Sequence, residues 1–280
     1  MSSHGLLTRL RRFIRPGTTG VPAGLASLGG SSASVVPLDY ARHPVRLLVT
    51  SPMERKWRAR SCQKEPWTVA WIEESMSTGG VLFDVGANVG AFSLVAAKVC
   101  ARRGTVVAFE PGFASYAHLC GNIVLNGCES IIIPVPIALG SANGLGTFAY
   151  RTLDPGQSRH QFRQDAWNAE QADTRKRYLQ PVFSMTLDSV IQTFTLPQPH
   201  HIKVDVDGGE IDVLQGARET LSSPMLQSIL IEIDDTQTEP VVALLDQCGF
   251  ALDRTHKGKH RKDTASRVWY GVFRRAGPSR

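Results

Sequence analysis

The 280-residue chain has no apolar run approaching the roughly 20 residues that a membrane-spanning helix needs, and its apolar stretches are strand-sized. That excludes a helical membrane span. It also has no C-x-x-C pair. Its five cysteines (Cys62, Cys100, Cys120, Cys128, Cys248) are odd in number and widely spaced, which supports neither a disulfide scaffold nor a zinc knuckle. A reducing compartment, the cytoplasm, is the default. Acidic residues are missing before Asp39, and the stretch 1–36 is rich in Gly, Ser and Arg. Such a segment contributes little packed core and reads as a basic tail.

The net charge of +6 invites a nucleic-acid reading, but its distribution does not support one. Residues 1–66 carry a net +8 and residues 254–280 another +8, so the middle, 67–253, carries −10. Within the tail, Leu6, Leu7, Leu10, Phe13 and Ile14 follow helical spacing opposite Arg9, Arg11, Arg12 and Arg15, until Pro16 and Gly17 end the pattern. A short basic amphipathic helix of this kind suits an anionic membrane surface, a docking partner or a targeting peptide, and Arg-Arg-Phe-Ile has a twin-arginine flavour. Peripheral membrane association is one expectation, and a plain solubilising tail is the other.

With 42% hydrophobic residues the rest of the chain can bury a large core. Residues 37–80 read as an extension packing on that core, 81–275 as the main domain, and 276–280 as a short tail. From 81 onward, apolar strand-like runs alternate with amphipathic helical stretches, the pattern of an α/β sheet with crossover helices. Strands are expected at 81–85, 105–109, 131–135, 202–206 and 228–233, and a terminal antiparallel hairpin from 250–253 and 267–273. The basic stretch 256–262 would be its loop. Helices between them would turn inward Phe92, Val95, Ala96, Val99 and Cys100, then Tyr116, Leu119, Cys120, Ile123 and Val124. Two more follow, with Ile211, Leu214, Ala217 and Leu221, and with Val241, Leu244, Leu245 and Cys248. The polar stretch 150–180, with scattered Phe162, Trp167 and Tyr178, breaks this rhythm and reads as an insertion carrying substrate specificity.

Chemistry concentrates where strands end. Phe83-Asp84-Val85-Gly86-Ala87-Asn88-Val89-Gly90 places an acid and then a glycine-rich turn at a strand-to-helix junction, where a ligand can approach the backbone. The spacing is D-x-G-x-x-x-G rather than the dinucleotide G-x-G-x-x-G, which disfavours a nicotinamide oxidoreductase. An acid there repels a diphosphate and suits an amino group. Phe109-Glu110-Pro111 ends the next strand, where a carboxylate bonds the two hydroxyls of an adenosine ribose. A nucleoside with an amino-acid tail satisfies both acids, which is the description of S-adenosyl-L-methionine. A tight turn in a non-catalytic α/β domain is the plainer alternative.

These motifs, together with Asn122-Ile-Val-Leu-Asn126, Thr186-Leu-Asp188, Ile202-Lys203-Val-Asp205-Val-Asp207-Gly208-Gly209-Glu210, Val213-Leu-Gln-Gly-Ala217 and Leu230-Ile-Glu232-Ile, resemble the FkbM family of S-adenosylmethionine-dependent methyltransferases. The resemblance runs from about residue 67 to 273. It implies a class I methyltransferase (Rossmann-like) three-layer α/β fold with a mostly parallel seven-stranded sheet. The activity it implies is O-methylation of a carbohydrate or secondary-metabolite acceptor. Asp84, Gly86, Ala87, Asn88 and Gly90 would hold the methionine end, Glu110 and Pro111 the ribose side, with Ala138 counted among them. Asp205 would lie between cofactor and substrate. Asp207 and Gly209 depart from the family's Lys-x-Asp-x-Glu-Gly-x-Glu pattern, where Glu and commonly Ala stand.

Open α/β sheets bind ligands beyond the carboxyl ends of their strands, so Asp205 and Glu232 are the candidate general bases for a substrate hydroxyl. Lys203, Asp207 and Glu210 read rather as a structural charge network or helix cap. His160 is the one histidine entertained as a base. His200 and His201 have no cysteine near them in sequence, so no metal site is expected. Nucleic-acid methylation is disfavoured because no Asn/Asp-Pro-Pro-aromatic signature occurs. A non-catalytic binding or peripheral-membrane module on a methyltransferase scaffold is the alternative from another class.

Overall fold

A computed structural model of the chain describes residues 33–157, 160–164, 178–257 and 268–276. The amphipathic stretch 6–14, Trp167 and the loop residues 258–267 lie outside them, as do the expectations attached to each.

The described chain opens with a two-stranded antiparallel ribbon, β1 (Ser34–Pro37) and β2 (Arg46–Val49), so strand pairing begins inside the stretch expected as a tail. Three helices follow, α1 (Pro52–Trp57), α2 (Ser61–Lys64) and α3 (Pro66–Met76). Ser51 caps α1 in a reciprocal box with Glu54, whose carboxylate also accepts from Thr50 and contacts His118 Nδ1 at 2.9 Å.

The α/β alternation then runs through β3 (Gly80–Val85), α4 (Ala91–Val99), β4 (Gly104–Phe109), α5 (Phe113–Leu125) and β5 (Ile132–Val135). Four strands follow: β6 (Ala138–Leu139), β7 (Gly144–Tyr150), β8 (Gln161–Arg163) and β9 (Tyr178–Met185). The chain returns through α6 (Leu187–Phe194), β10 (His201–Val204), α7 (Glu210–Gln215), α8 (Arg218–Ser222), β11 (Ser228–Asp234) and α9 (Thr238–Gln247). It closes with β12 (Phe250–Lys257) and β13 (Val268–Arg275).

Seven strands form one sheet in the order β12-β13-β11-β10-β3-β4-β5, parallel from β11 to β5 and antiparallel at the β11/β13/β12 edge. The period-2 alternation of its strands feeds two apolar layers. Leu82, Val106, Ala108, Leu230 and Val272 face one layer, which holds α3, α4, α5 and the N-terminal ribbon. Phe83, Val107, Phe109, Ile202, Ile229 and Ile231 face the other, with α6 to α9.

Three details differ from the sequence reading. Of the stretch 150–180 expected as an irregular insertion, Tyr150, Gln161–Arg163 and 178–180 belong to strands of a second sheet, ordered β6-β9-β7-β8. The single helix expected over 211–221 is two, broken at Gly216, whose backbone lies against that of Gly140. Helix α5 buries Ser115, His118 and Asn122 beside Leu119 and Ile123, while Val124, expected inside, is 45% exposed. The reason is a second contact surface. Asn122 accepts from Leu48 N at 2.7 Å and donates to Val89 O at 2.9 Å, tying the ribbon to the main domain. Asn122→Ala leaves both backbone groups buried without that partner. An expected loss of about 2 kcal/mol follows, measurable by urea unfolding.

Candidate active site

The chain moves outward from β3 to β5 and returns on β3's other side with β10, so the crevice between β3 and β10 is the topological switch point. A cavity of about 320 Å³ opens there, beyond the carboxyl ends of the strands. Val85, Gly86 and Asn88 line it after β3, Phe109, Glu110 and Pro111 after β4, and 205–209 after β10. Ile137, Ala138 and Leu139 add an apolar wall, and the second sheet contributes Phe148, Gln157, His160, Gln161, Phe162 and Arg163.

The turn after β3 is dictated by close approach. Gly86 has φ of +81°, and a Cβ there would lie 1.9 Å from Asp205 O, so only glycine lets the ends of β3 and β10 touch. Asn88, at φ of +53°, holds its left-handed conformation while its amide donates to Gln157 O at 2.8 Å. Gly90 and Ala87 are absent from the lining. At Gly90 a Cβ would stand 2.5 Å from Leu119 Cδ1, so that glycine serves the packing of α4 on α5.

Glu110 is buried, and its two oxygens accept from Asn88 N (2.9 Å) and Gly112 N (2.8 Å), fastening the β3 and β4 turns together. Burial pushes its carboxyl up to about 7, against those two N–H groups and the nearby Arg58 guanidinium.

Strand alternation places two of the candidate residues, Asp84 and Glu232, outside the cavity lining. Asp84 precedes the last residue of β3 and shares the sheet face of Leu82, so its side chain meets its cross-strand neighbour Lys203 rather than the crevice. Lys203 Nζ lies 3.3 Å from Asp84 Oδ1 and 3.4 Å from Asp205 Oδ2, while Ser93 Oγ donates to Asp84 Oδ2 at 2.5 Å. Asp84 is 1% exposed and does not line the cavity. Glu232 is paired in register with Tyr270, whose hydroxyl donates to it, and it too is absent from the lining.

Asp205 does reach the cavity, with its side chain 25% exposed. Burial would raise its carboxyl, but Lys203, Lys64 and Arg58 outweigh that and hold it below the usual carboxylate range. Asp207 stands beside it at φ of +61°. Glu210, away from the lining, accepts from Gly208 N at 3.0 Å and Val206 N at 3.4 Å and so shapes the 206–209 turn.

His160 is buried against Phe148 and Tyr150 on the cavity wall. Burial lowers its pKa, opposed by Asp207, so it is neutral at pH 7. Its Nδ1 faces Arg151 N at 3.4 Å, which selects the tautomer with the proton on Nε2, a donor rather than a base. His200 and His201 bind Val81 N and Ser228 Oγ. Among the described residues no cluster of three His, Cys, Asp or Glu is arranged to hold a metal, and no helix is long and apolar enough to cross a membrane.

The sequence reading missed the wall built by the second sheet and also missed Arg58. That arginine follows α1, donates from Nε to Gly156 O and bears electrostatically on Glu110, His160 and Asp205. The strand-like alternation of 144–150 and 178–185 was the available signal for the wall. For Arg58 none was available, because only the fold brings α1 beside residue 156.

A family profile described as "Methyltransferase FkbM domain" matches residues 84–252. The hexuronic acid methyltransferase AglP of Haloferax volcanii is 26% identical over 227 residues, covering 81% of this chain and 86% of that protein. Methyltransferase sdnD of Sordaria araneosa is 25% identical over 194 residues, 62% of this chain and 74% of that one. Among solved structures, the complex of aTrm5 with tRNALeu matches with a TM-score of 0.50 at 13% identity, covering 88% of this chain and 53% of that chain. At that identity the likeness concerns the fold.

Proposed function

The chain belongs to the FkbM methyltransferase family, and from that premise we propose that it moves the methyl group of S-adenosyl-L-methionine onto a hydroxyl oxygen of a carbohydrate or secondary-metabolite acceptor. The enzyme is a methyltransferase with the class I methyltransferase fold. The observation carrying the finer reading is the cavity at the β3/β10 switch point, where Glu110, Asp205 and Asp207 surround a tight backbone turn. Three carboxylates beside a glycine turn suit a nucleoside whose other end is cationic. AglP, named for a hexuronic acid, favours a carbohydrate acceptor.

When bound, the cofactor supplies a methyl group on a sulfonium that leaves as a neutral thioether. Glu110 would receive the ribose hydroxyls. The 85–88 turn and Asp205 would border the methionine end and the acceptor. Asp205, ionised at neutral pH, would accept the hydrogen bond of the acceptor hydroxyl, aim its oxygen at the methyl carbon and take the proton as the new C–O bond forms. His160, part of the cavity lining and protonated on Nε2, would donate to a second acceptor oxygen. Positioning is the largest contribution available, since well-oriented reactants reach effective molarities on the order of 10⁵ to 10⁸ M.

Calorimetry with S-adenosylhomocysteine tests the cofactor assignment, and labelled methyl transfer into cell extracts tests the acceptor class. No binding, or label entering only nucleic acid, refutes the corresponding half. Glu110 adds a pH signature. Its carboxyl, pushed up to about 7 in the free protein, must ionise to accept two hydroxyls, so affinity should fall as pH drops below about 7, by up to about tenfold per unit. Glu110→Gln should lose about 10- to 100-fold at pH 8, the value of hydrogen bonds to a charged acceptor, and should flatten the pH profile.

A further inference from the structure

Gln157 lines the cavity, yet residues 151–157 follow β7 and belong to neither sheet. Three hydrogen bonds, each from a different element, reach Gly156 and Gln157 instead. Gly156 N donates to Ser115 Oγ of α5 at 3.3 Å, Asn88 Nδ2 of the β3 turn donates to Gln157 O at 2.8 Å, and Arg58 Nε, at the end of α1, donates to Gly156 O. Gly156 has φ of +77°, and a Cβ there would stand 2.8 Å from Glu54 Cγ and 3.2 Å from Arg58 Cγ, so the turn lies directly against α1. Arg58 stands on an anchored support. Its backbone N–H donates to Glu54 O at 2.7 Å, and the buried Glu54 carboxylate faces His118 Nδ1 of α5 at 2.9 Å.

Asn88 connects this turn to the carboxylate that would receive the ribose. Its side chain donates to Gln157 O and accepts from Val89 N, and its backbone N–H donates to Glu110 Oε2 at 2.9 Å. A continuous path therefore runs from Arg58 through Gly156, Gln157 and Asn88 to Glu110, starting ahead of the family-matched residues 84–252. At φ of +53°, Asn88 depends on that path, because a left-handed conformation is costly for a residue with a side chain unless its bonds compensate.

We propose that Arg58 is a positioning residue for the cofactor site: by clasping the Gly156–Gln157 turn it sets, through Asn88, where the β3 turn meets Glu110. This rests on the methyl-transfer reading of the same site. Arg58 touches no part of the cavity, and its effect on binding is carried by the turn. A site is only as exact as the groups that support it, so releasing the turn lets Asn88 N–H drift from Glu110 and blurs the shape the ribose must fit. The segment before β3 is then a working part of the site, with α1 as its fixed point.

Hydrogen exchange and calorimetry on the full-length protein test this. In the ligand-free protein, Arg58→Gln is expected to speed exchange at the Asn88 and Val89 amides by about tenfold, with the amides of β10 and β11 unchanged. S-Adenosylhomocysteine is then titrated at pH 9, well above the Glu110 carboxyl at about 7, so that the loss read there is of position and not of the arginine's charge acting on Glu110. Arg58→Gln is expected to weaken binding by about tenfold, and Asn88→Gly, which keeps the left-handed backbone, by a similar factor. The double variant is expected to stay within about threefold of the weaker single variant. Independent sites would instead multiply to about 100-fold, so the shortfall shows that two residues which do not touch act through one turn. Gly156→Ala, which forces the turn off Glu54 from its own side, takes the place of Arg58→Gln if that variant fails to fold. The proposal is overturned by unchanged exchange at Asn88 and Val89, by a binding loss that disappears at pH 9, or by full multiplication in the double variant. Failure of wild type to bind S-adenosylhomocysteine is a different result, which refutes the cofactor reading; the exchange measurement on the unliganded protein then decides the positioning role.

Discussion

Asp205→Asn is expected to lower methyl-transfer turnover by about 100-fold or more while leaving S-adenosylhomocysteine affinity within a few fold. The substitution keeps the size of the side chain but removes its ability to take a proton. A positioned general base contributes about 10² to 10⁴-fold. Asp205 meets the geometric condition, being part of the cavity lining and one-quarter exposed. Lys203 holds its carboxyl below the usual range, so it stays ionised at neutral pH and its protonation should not shape the rate profile near neutrality. A weak base suffices here, because the hydroxyl proton becomes strongly acidic only as its oxygen gains the methyl group. Glu232→Gln serves as the contrast. Glu232 accepts from Tyr270 and lies off the cavity, so its replacement should change turnover by less than about threefold. Single-turnover transfer of labelled methyl groups separates the two variants. Full activity in Asp205→Asn would remove the base assignment altogether.

The contrast between these two acids shows what could be read from sequence and what could not. Both lie near the carboxyl ends of adjacent parallel strands, and that proximity is visible from the apolar runs and the turns that follow. Asp205 is one residue past β10, where side chains leave the sheet and reach the crevice. Glu232 is two residues short of the end of β11 and remains on the sheet face. Asp84 is one residue short of the end of β3 and does the same. A shift of one or two residues decides between cavity and core, and strand ends are placed less sharply than that by apolar patterning. The strands of the main sheet follow from the near-continuous apolar runs at 81–85, 105–109 and 228–233, which are what strands buried on both faces require. The second sheet was hidden because β8 is only three residues long and because β7 and β9 leave Leu145, Tyr178 and Phe183 exposed, so their apolar residues do not mark one buried face. The role of α5 was hidden for a related reason. Its buried face includes His118 and Asn122, which a search for apolar spacing discards.

Lys203 is the residue whose loss should cost the fold most. Its side chain is 2% exposed and lies between Asp84 and Asp205, with its ammonium also 5.6 Å from the Phe92 ring centroid. Burial alone would favour the neutral amine, but the two carboxylates outweigh it and hold the lysine charged. Removing one partner of a buried ionic cluster costs about 3–5 kcal/mol, because the remaining charges stay desolvated without compensation. Lys203→Met, which preserves most of the side-chain volume, is therefore expected to lower unfolding free energy by about that amount in urea at pH 7. The deficit has a direction in pH. With the ammonium gone, the cheapest relief is for one carboxyl to keep a proton in the native state that the unfolded chain releases, so stability then falls as pH rises. The variant should accordingly come closer to wild type near pH 4.5 than at pH 7. Asp84→Asn introduced into Lys203→Met removes one uncompensated charge and should recover part of the loss. Additive effects of the two changes would show that Lys203 and Asp84 do not interact in the way their 3.3 Å separation implies.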